Sequence, residues 1–303
     1  MQTRRQFLQH MATLAAMASL YPATGWGAEQ DLLQRPIPST GEQLPVIGLG
    51  TSRTFNVPLT DEPLQPLLQV MRHFTEGGAS LIDTSPSYGN AERVTGELAR
   101  RLEVGEQIFY ATKISTMGQA AGQKQVETSF EVLGTDQIDL IQVHNLQDTA
   151  NHLAYLRELK QEGRIRYVGV THYLDSAHGA LLEVLKEEPV DFVQFNYSVA
   201  SRNAEKQLLP YCRDNGIATL INRPFLRGEL FDKVRDEPLP GFAEELGATS
   251  WAQLMLKFIL AEPAVTAIIP ATSNPRYMLD NLMAGRGPLP DAAQREQIDR
   301  MFR

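Results

Sequence analysis

Cysteine is almost missing from this sequence: its 303 residues hold one, Cys212, so no disulfide can form within the chain. The flanks Leu208-Leu209-Pro210-Tyr211 and Arg213-Asp214-Asn215-Gly216 read as the end of an amphipathic helix. Neither a metal-binding spacing nor a Cys–His pair lies nearby, so Cys212 is expected to be a small buried apolar residue, and no metal site is expected. Positive charge is short as well. Lys and Arg number 28 against 36 Asp and Glu, a net charge of −8, which argues against nucleic acid as a partner because phosphate binding needs a basic face. Beyond the first thirty residues no apolar run is long enough to cross a bilayer, so no permanent membrane anchor is expected. A glycine-rich phosphate turn is also lacking. Gly48-Leu49-Gly50-Thr51 runs into Ser52-Arg53, Pro58 and Pro63 with no helix directly behind it, which excludes a doubly wound dinucleotide-binding sheet. There is no low-complexity linker and no sign of a second domain.

What is present begins with an address. Thr3-Arg4-Arg5-Gln6-Phe7-Leu8 precedes an apolar stretch, Met11 to Leu20, and then small residues with a candidate cleavage point after Ala28. Ala12, Leu14, Ala15, Ala16, Met17, Ala18 and Leu20 leave no polar face, which is wrong for a first helix of the fold. The paired arginines followed by Phe-Leu resemble the signals read by the twin-arginine (Tat) export machinery. Residues 1–28 are therefore expected to be a signal peptide and 29–303 a periplasmic domain. A cytoplasmic chain with an unused signal is the alternative.

After Pro36, short apolar runs alternate with helical patterns. The strand-like runs are Val46–Leu49, Leu81–Asp83, Ile108–Thr112, Ile138–His144, Tyr167–Thr171, Phe192–Asn196, Ala218–Ile221 and Val265–Ile269. Helical patterns cover Leu64–Glu76, Ala91–Leu102, Gln123–Leu133, Asn151–Glu162, Ala177–Lys186, Ala204–Asp214, Ser250–Leu260 and Arg276–Met283. Eight such units predict an α/β fold, a (β/α)8 TIM barrel in one domain. Ser39-Thr40-Gly41-Glu42, between Pro36-Ile37-Pro38 and Leu44-Pro45-Val46, predicts a short N-terminal hairpin closing the barrel bottom.

In such a barrel the chemistry gathers at the C-terminal ends of the strands. Asp83 ends the second run, Lys113 follows the third, His144 ends the fourth, Thr171-His172 follow the fifth, and Gln194 and Asn196 belong to the sixth. Tyr88 lies on the loop just beyond Asp83. A tyrosine, with a reference pKa near 10, is a poor proton donor at neutral pH unless helped. A lysine ammonium beside it stabilises the phenolate and draws the pKa down, and a carboxylate beside that lysine keeps it charged and oriented. Lys113 and Asp83 suit those tasks, and His144 could hydrogen-bond a carbonyl oxygen. Each residue alone has an ordinary structural role open to it: an ion pair, a packed aromatic, a satisfied histidine. Their succession around one rim points instead to proton donation to a carbonyl oxygen with hydride supplied by another group.

The run Asp83-Thr84-Ser85-Pro86-Ser87-Tyr88-Gly89-Asn90-Ala91-Glu92 resembles the signature of the aldo-keto reductase family. The similarity extends from about Leu44 to Asn281 through Asp139–His144, Gly163–Thr171, Val193–Tyr197 and Ile268–Ser273. The resemblance implies a catalytic set of Asp83, Tyr88, Lys113 and His144, with NADPH as hydride donor to an aldehyde or ketone. It further implies cofactor contacts from Gly50, Thr51, Asp83, Thr171, His172 and Gln194 around the nicotinamide. Asn222, Pro224, Phe225, Leu226, Arg227 and Gly228, with Thr272, Ser273, Arg276 and Asn281, would hold the pyrophosphate and adenosine. A monomer is the default it implies.

Three positions depart from the family pattern. Thr171-His172 stand where Ser-Asn is common, Asn222 where an aromatic ring often stacks on the nicotinamide, and Ala271 where a lysine often meets the 2′-phosphate. Threonine keeps the hydroxyl, imidazole can still donate one hydrogen bond, and Arg276 could grip the phosphate, so NADP(H) is favoured with NAD(H) open. A stretch from Phe225 to Pro240, with Arg223, Arg227, Lys233 and Arg235 in or beside it, is expected to form a mobile rim of the pocket; its basic residues read as a solvated face, with recognition of an acidic or phosphorylated substrate as the alternative. The alternative to a reductase is an exported, non-catalytic cofactor-binding or interaction protein on the same barrel.

Overall fold

The computed structural model describes residues 31–303, so the signal-peptide reading lies outside the described residues. Leu32–Arg303 form one compact unit. Two strands, β1 (Gln34–Pro36) and β2 (Gln43–Pro45), pair antiparallel as the expected hairpin. Eight parallel strands follow: β3 (Leu49–Gly50), β4 (Leu81–Asp83), β5 (Phe109–Ile114), β6 (Ile138–His144), β7 (Ile165–Thr171), β8 (Phe192–Asn196), β9 (Ala218–Asn222) and β10 (Ala267–Ile268). Each pairs with its successor, and parallel bridges Ile47–Ile268 and Gly50–Ala271 join the first staves to the last, closing the barrel. The outer helices are α1 (Asp61–Glu76), α2 (Ala91–Leu102), α3 (Gln119–Leu133), α4 (Thr149–Gln161), α5 (His178–Glu187), α6 (Leu208–Asp214), α7 (Glu229–Lys233), α8 (Trp251–Leu260), α9 (Pro275–Ala284) and α10 (Ala292–Phe302). The TIM-barrel expectation and the hairpin are thus both found.

Because strand side chains alternate between faces, every second residue of each stave points into the barrel. The inward set is graded. Low in the barrel, Phe109, Tyr167 and Phe192 pack together, the last two edge to face at 5.3 Å between ring centroids. Ile37 and Leu44 of the hairpin join that apolar cluster with Leu81, Leu140 and Leu220. The Tyr167 hydroxyl, which apolar surroundings would strand, donates to Glu42 (2.5 Å) and meets the Thr40 hydroxyl (2.9 Å), so the turn satisfies what the barrel floor cannot. Two residues further along the same inward series come Asp83, Lys113, Gln142 and Gln194, all buried.

Two helical expectations change. The pattern Ala204–Asp214 is a 3₁₀ turn, Asn203–Lys206, broken at Gln207 and followed by α6. Pro210 explains the break: inside one continuous helix it would lack the N–H for residue 206 and clash with that carbonyl, whereas in a helix's first turn it is tolerated. The C-terminal helix α10 was not expected, although Asp291 and Gln294 form a capping box at its start. Cys212 is fully buried, and burial pushes its thiol up to about 12, the inert role expected of it.

Gly96, mid-helix in α2, costs propensity but lets α3 come close: a Cβ there would lie 2.1 Å from the Val132 carbonyl oxygen. Gly96→Ala should therefore destabilise the protein by about 1–3 kcal/mol, the cost of overpacking. Helix propensity alone would make the change stabilising by about 1 kcal/mol. The denaturant midpoint decides: a fall is expected, and a rise would show that the two helices can part without loss.

Candidate active site

The polar layer at the top of the barrel is built around one ion pair. Lys113 on β5 extends its Nζ to both carboxylate oxygens of Asp83 on β4, at 2.8 and 2.7 Å, and to the Thr84 carbonyl at 2.7 Å. Neither side chain is more than 4% exposed. Burial alone pushes the Lys113 ammonium toward neutrality, but Asp83 and Tyr88 more than offset it, and its pKa ends above the usual lysine value. Asp83 Oδ1 also accepts from Gln194 Nε2 (2.7 Å) and Gln142 Nε2 (3.2 Å), so the carboxylate is fully hydrogen-bonded inside the barrel.

Tyr88 hangs beside this pair, its ring centroid 5.1 Å from Lys113 Nζ. It ends a one-turn 3₁₀ helix, Pro86–Tyr88, whose start is capped by Ser85 Oγ accepting from the Ser87 amide. Gly89 follows at φ +66°, and Asn56 packs against it where a Cβ would meet Oδ1 at 2.2 Å, so glycine is needed to turn the chain under Tyr88. Lys113 was expected to draw the Tyr88 phenol down. In the structure burial dominates and raises it, and Lys113 offsets only part of that rise. The phenol therefore stays protonated through neutral pH.

His144 stands edge-on to Tyr88, 5.8 Å between ring centroids and 82° between planes. Its Nδ1 is ringed by three serine hydroxyls, Ser115 at 2.7 Å, Ser87 at 3.3 Å and Ser85 at 3.5 Å. Burial first, then the charge of Lys113, depresses its pKa to about 3, so the ring is neutral. With a serine hydroxyl donating to Nδ1, we assign the ring proton to Nε2, which leaves the histidine a hydrogen-bond donor on its other side.

A cleft of about 520 Å³ opens over this layer, and Asp83, Tyr88 and His144 line it. Of the residues expected to meet a cofactor, Gly50, Thr51, Thr171, Gln194, Asn222, Pro224, Phe225, Arg227 and Gly228 line the same cleft. His172 and Leu226, both half-buried, do not line it. The Asn222 amide donates to the His172 carbonyl (3.3 Å) and to Gln194 Oε1 (3.2 Å). His172 Nδ1 accepts from the Tyr173 and Leu174 amides, which leaves its Nε2 to carry the hydrogen. Thr272, Ser273, Arg276 and Asn281 sit past the cleft's edge, where Thr272 Oγ1 accepts from the Asn274 amide and Arg276 begins α9 with its side chain exposed. Two buried acceptors on residues that line the cleft, Asn145 Oδ1 and Asn222 Oδ1, have no hydrogen-bond partner among the described residues. Unsatisfied acceptors of this kind suit a ligand bearing N–H donors, such as a carboxamide. Of the rim's basic residues, Arg223 and Arg227 line the cleft, while Lys233 and Arg235 are exposed, the first meeting the Phe302 carbonyl (2.6 Å) and the second pairing with Asp232.

Gln142, Ser85, Ser87, Ser115, Asn145, Arg53 and Tyr173 were not among the site residues expected from the sequence, whereas Phe231 belongs to the expected rim. For two of them a signal existed. Ser115 is two residues after Lys113 and Gln142 two before His144, so strand alternation alone puts them on the same inward face.

His144 titrates near 6.5 in an unfolded chain but near 3 when folded. Between those values the unfolded chain binds more protons, so the stability tied to His144 is present above pH 6.5 and drains away as pH falls. His144→Asn should flatten the loss of stability between about pH 6.5 and 4.5 in denaturant titrations. An acid limb identical to that of the unmodified protein would contradict a neutral buried imidazole.

Residues 46–301 match the model of the aldo/keto reductase family. The NADH-specific methylglyoxal reductase of Escherichia coli (strain K12) is 30% identical over 254 residues, 74% of this chain and 77% of that protein. Aldo-keto reductase YhdN of Bacillus subtilis (strain 168) is 29% identical over 219 residues, 66% of this chain and 64% of its own length. A crystal structure of an aldo/keto reductase from Klebsiella pneumoniae with NADP and acetate superposes with a TM-score of 0.71 at 25% identity, covering 86% of this chain and 93% of that one. With its closed parallel barrel and a match over most of its length, the chain belongs to the aldo/keto reductase family and is an NAD(P)H-dependent oxidoreductase acting on carbonyl compounds.

Proposed function

We propose that Tyr88 donates the proton in carbonyl reduction, that Lys113 and Asp83 tune it, and that His144 orients the substrate. The observation that carries this reading is the buried Asp83–Lys113 pair beside the Tyr88 ring. A carbonyl oxygen between the Tyr88 hydroxyl and His144 Nε2 receives two hydrogen bonds, one of which becomes the O–H bond of the alcohol. As the phenol gives up its proton, the fixed ammonium of Lys113 steadies the phenolate left behind. Because burial keeps the phenol protonated at neutral pH, the site is set to donate a proton in reduction.

A nicotinamide cofactor supplies the hydride when bound. Thr171, Gln194 and Asn222, with the free acceptor of Asn222, would hold its carboxamide, and His172 would support them. Gly50 and Thr51, with Pro224, Phe225, Leu226, Arg227 and Gly228, would follow the pyrophosphate, and Thr272, Ser273, Arg276 and Asn281 the adenosine. An exposed Arg276 without a carboxylate partner among the described residues favours NADP(H). The Klebsiella protein was solved with NADP and the Escherichia coli relative is NADH-specific, so both nucleotides have precedent among relatives. The substrate class they bring to this chain is a small carbonyl compound.

The same reading makes residues 1–28 a twin-arginine signal and 29–303 a periplasmic, monomeric reductase that leaves the cytoplasm folded with its cofactor. Support for export is the Arg4-Arg5-Gln6-Phe7-Leu8 pattern ahead of an apolar stretch without a polar face. Replacing both arginines by lysine should leave the protein in the cytosolic fraction of its host. Equal periplasmic recovery of both forms, or a full-length chain confined to the cytosol from the start, would refute it.

Tyr88→Phe should keep nucleotide binding while lowering turnover by roughly 10²- to 10⁴-fold, the usual size of a lost general acid. Rates of NADPH oxidation with a small aldehyde, alongside fluorescence quenching by NADPH, check both halves. Unchanged turnover would remove Tyr88 from the mechanism.

A further inference from the structure

Three arginines line the cleft, Arg53, Arg223 and Arg227. None is paired with a carboxylate among the described residues, although acids outnumber bases in the chain and Arg101, Arg157, Arg164, Arg166, Arg202 and Arg295 all have acidic partners. The one carboxylate lining the cleft, Asp83, is committed to Lys113. All three arginines hold left-handed backbone, at φ +67°, +52° and +62°, which costs a non-glycine residue about 1 kcal/mol or more each. Strained, like-charged and unpaired groups converging on one cleft are the marks of a site built for an anion.

Arg223 is the inner member. It is half-buried and its guanidinium carbon lies 4.0 Å over the Tyr173 ring, which holds it facing the cleft. Burial, then the like charges of Arg227 and Arg53, work against its charged state. Its field reaches the hydroxyl of Tyr88, where it acts with Lys113 in lowering what burial raises. Phe225 and Phe231, 5.1 Å apart between centroids, supply apolar wall on the same rim.

We propose that Arg223, with Arg53 from the loop after β3, takes an acidic group of the substrate, so that this reductase acts on aldehydes or ketones carrying a carboxylate on an apolar or aromatic body. The inference rests on the reading of the cleft as the carbonyl-reducing site. Arginine suits the task because its planar fork matches a carboxylate with two parallel hydrogen bonds. The same chemistry could instead serve the cofactor's pyrophosphate, the role implied for Arg227. Arg223 is assigned to the substrate because it is the half-buried member of the three and lines the same cleft as Tyr88 and His144, where the substrate carbonyl must sit.

Terephthalaldehydic acid and its methyl ester make a matched pair differing in one charge. The unmodified enzyme with NADPH should prefer the acid in kcat/KM, and Arg223→Leu should lower the acid-to-ester ratio by roughly 10- to 100-fold, as loss of a charged hydrogen-bonded pair implies. Arg53→Leu should lower it less, and NADPH affinity should not fall with either ratio. No preference for the acid, or equal losses for acid and ester together with weakened NADPH binding, would overturn the proposal and assign the guanidinium to the pyrophosphate. Calorimetric binding of unreactive terephthalate in the presence of NADPH separates the two layers of inference. Binding that depends on Arg223 without turnover of either aldehyde would sink the reductase reading and leave the anion site standing. Absence of terephthalate binding would sink the anion site whatever the activity.

Discussion

An ammonium sealed from water must bring its counter-charge with it, and the upper half of this barrel is arranged around that requirement. Lys113 and Asp83 come from neighbouring staves whose register sets Asp83 beside Ala111, two residues before the lysine on the inward face. One carboxylate satisfies one ammonium, but its remaining lone pairs need donors as well. Gln142 and Gln194 supply them from β6 and β8, and Asn222 on β9 in turn holds Gln194. A single buried ion pair thereby ties five staves into one polar layer, and removing either charge would leave the other uncompensated in a dry site. Burial acts first on Tyr88 and His144, raising the phenol and depressing the imidazole; the ammonium of this layer then offsets part of the one and adds to the other.

The layer is affordable because the rest of the barrel is not polar. The aromatic floor of Phe109, Tyr167 and Phe192, sealed by the hairpin residues Ile37 and Leu44, supplies burial from below. Strain is concentrated instead in the loops at the mouth. Asn145, Leu146 and Asp148 after β6, and Arg223, Leu226 and Arg227 after β9, all adopt positive φ without being glycine. Rigid staves below and strained loops above divide the labour between folding and binding.

Much of this was legible in the sequence, because alternation of short apolar runs with helical stretches is a property of residue type and spacing. The runs Leu81–Asp83, Ile138–His144 and Phe192–Asn196 coincide with β4, β6 and β8. Asp83, Tyr88, Lys113 and His144 could be named because each falls at or just beyond a strand end, where barrel geometry brings residues together. The misses have physical causes. The state of the Tyr88 phenol depends on how completely water is excluded, which no motif encodes. Gln142 and Ser115 read as ordinary strand residues until the inward parity set by Lys113 and His144 is carried along each stave. The pairing of Arg235 with Asp232 and of Lys233 with the Phe302 carbonyl depends on where α7 and the chain end fold, which residue type and spacing do not encode.

The claim that Lys113 offsets part of what burial does to Tyr88 is tested most directly by titrating that one phenol. Ultraviolet difference spectra between each protein and its Tyr88→Phe counterpart isolate the phenolate band, first in the unmodified background and then in the Asp83→Asn, Lys113→Met pair, where both charges are gone. The account predicts that Tyr88 ionises at distinctly higher pH once the ammonium is removed, because the main opposition to burial is then gone. Ionisation at the same pH in both backgrounds would mean that the ion pair serves the fold alone and that the acid is tuned by something else.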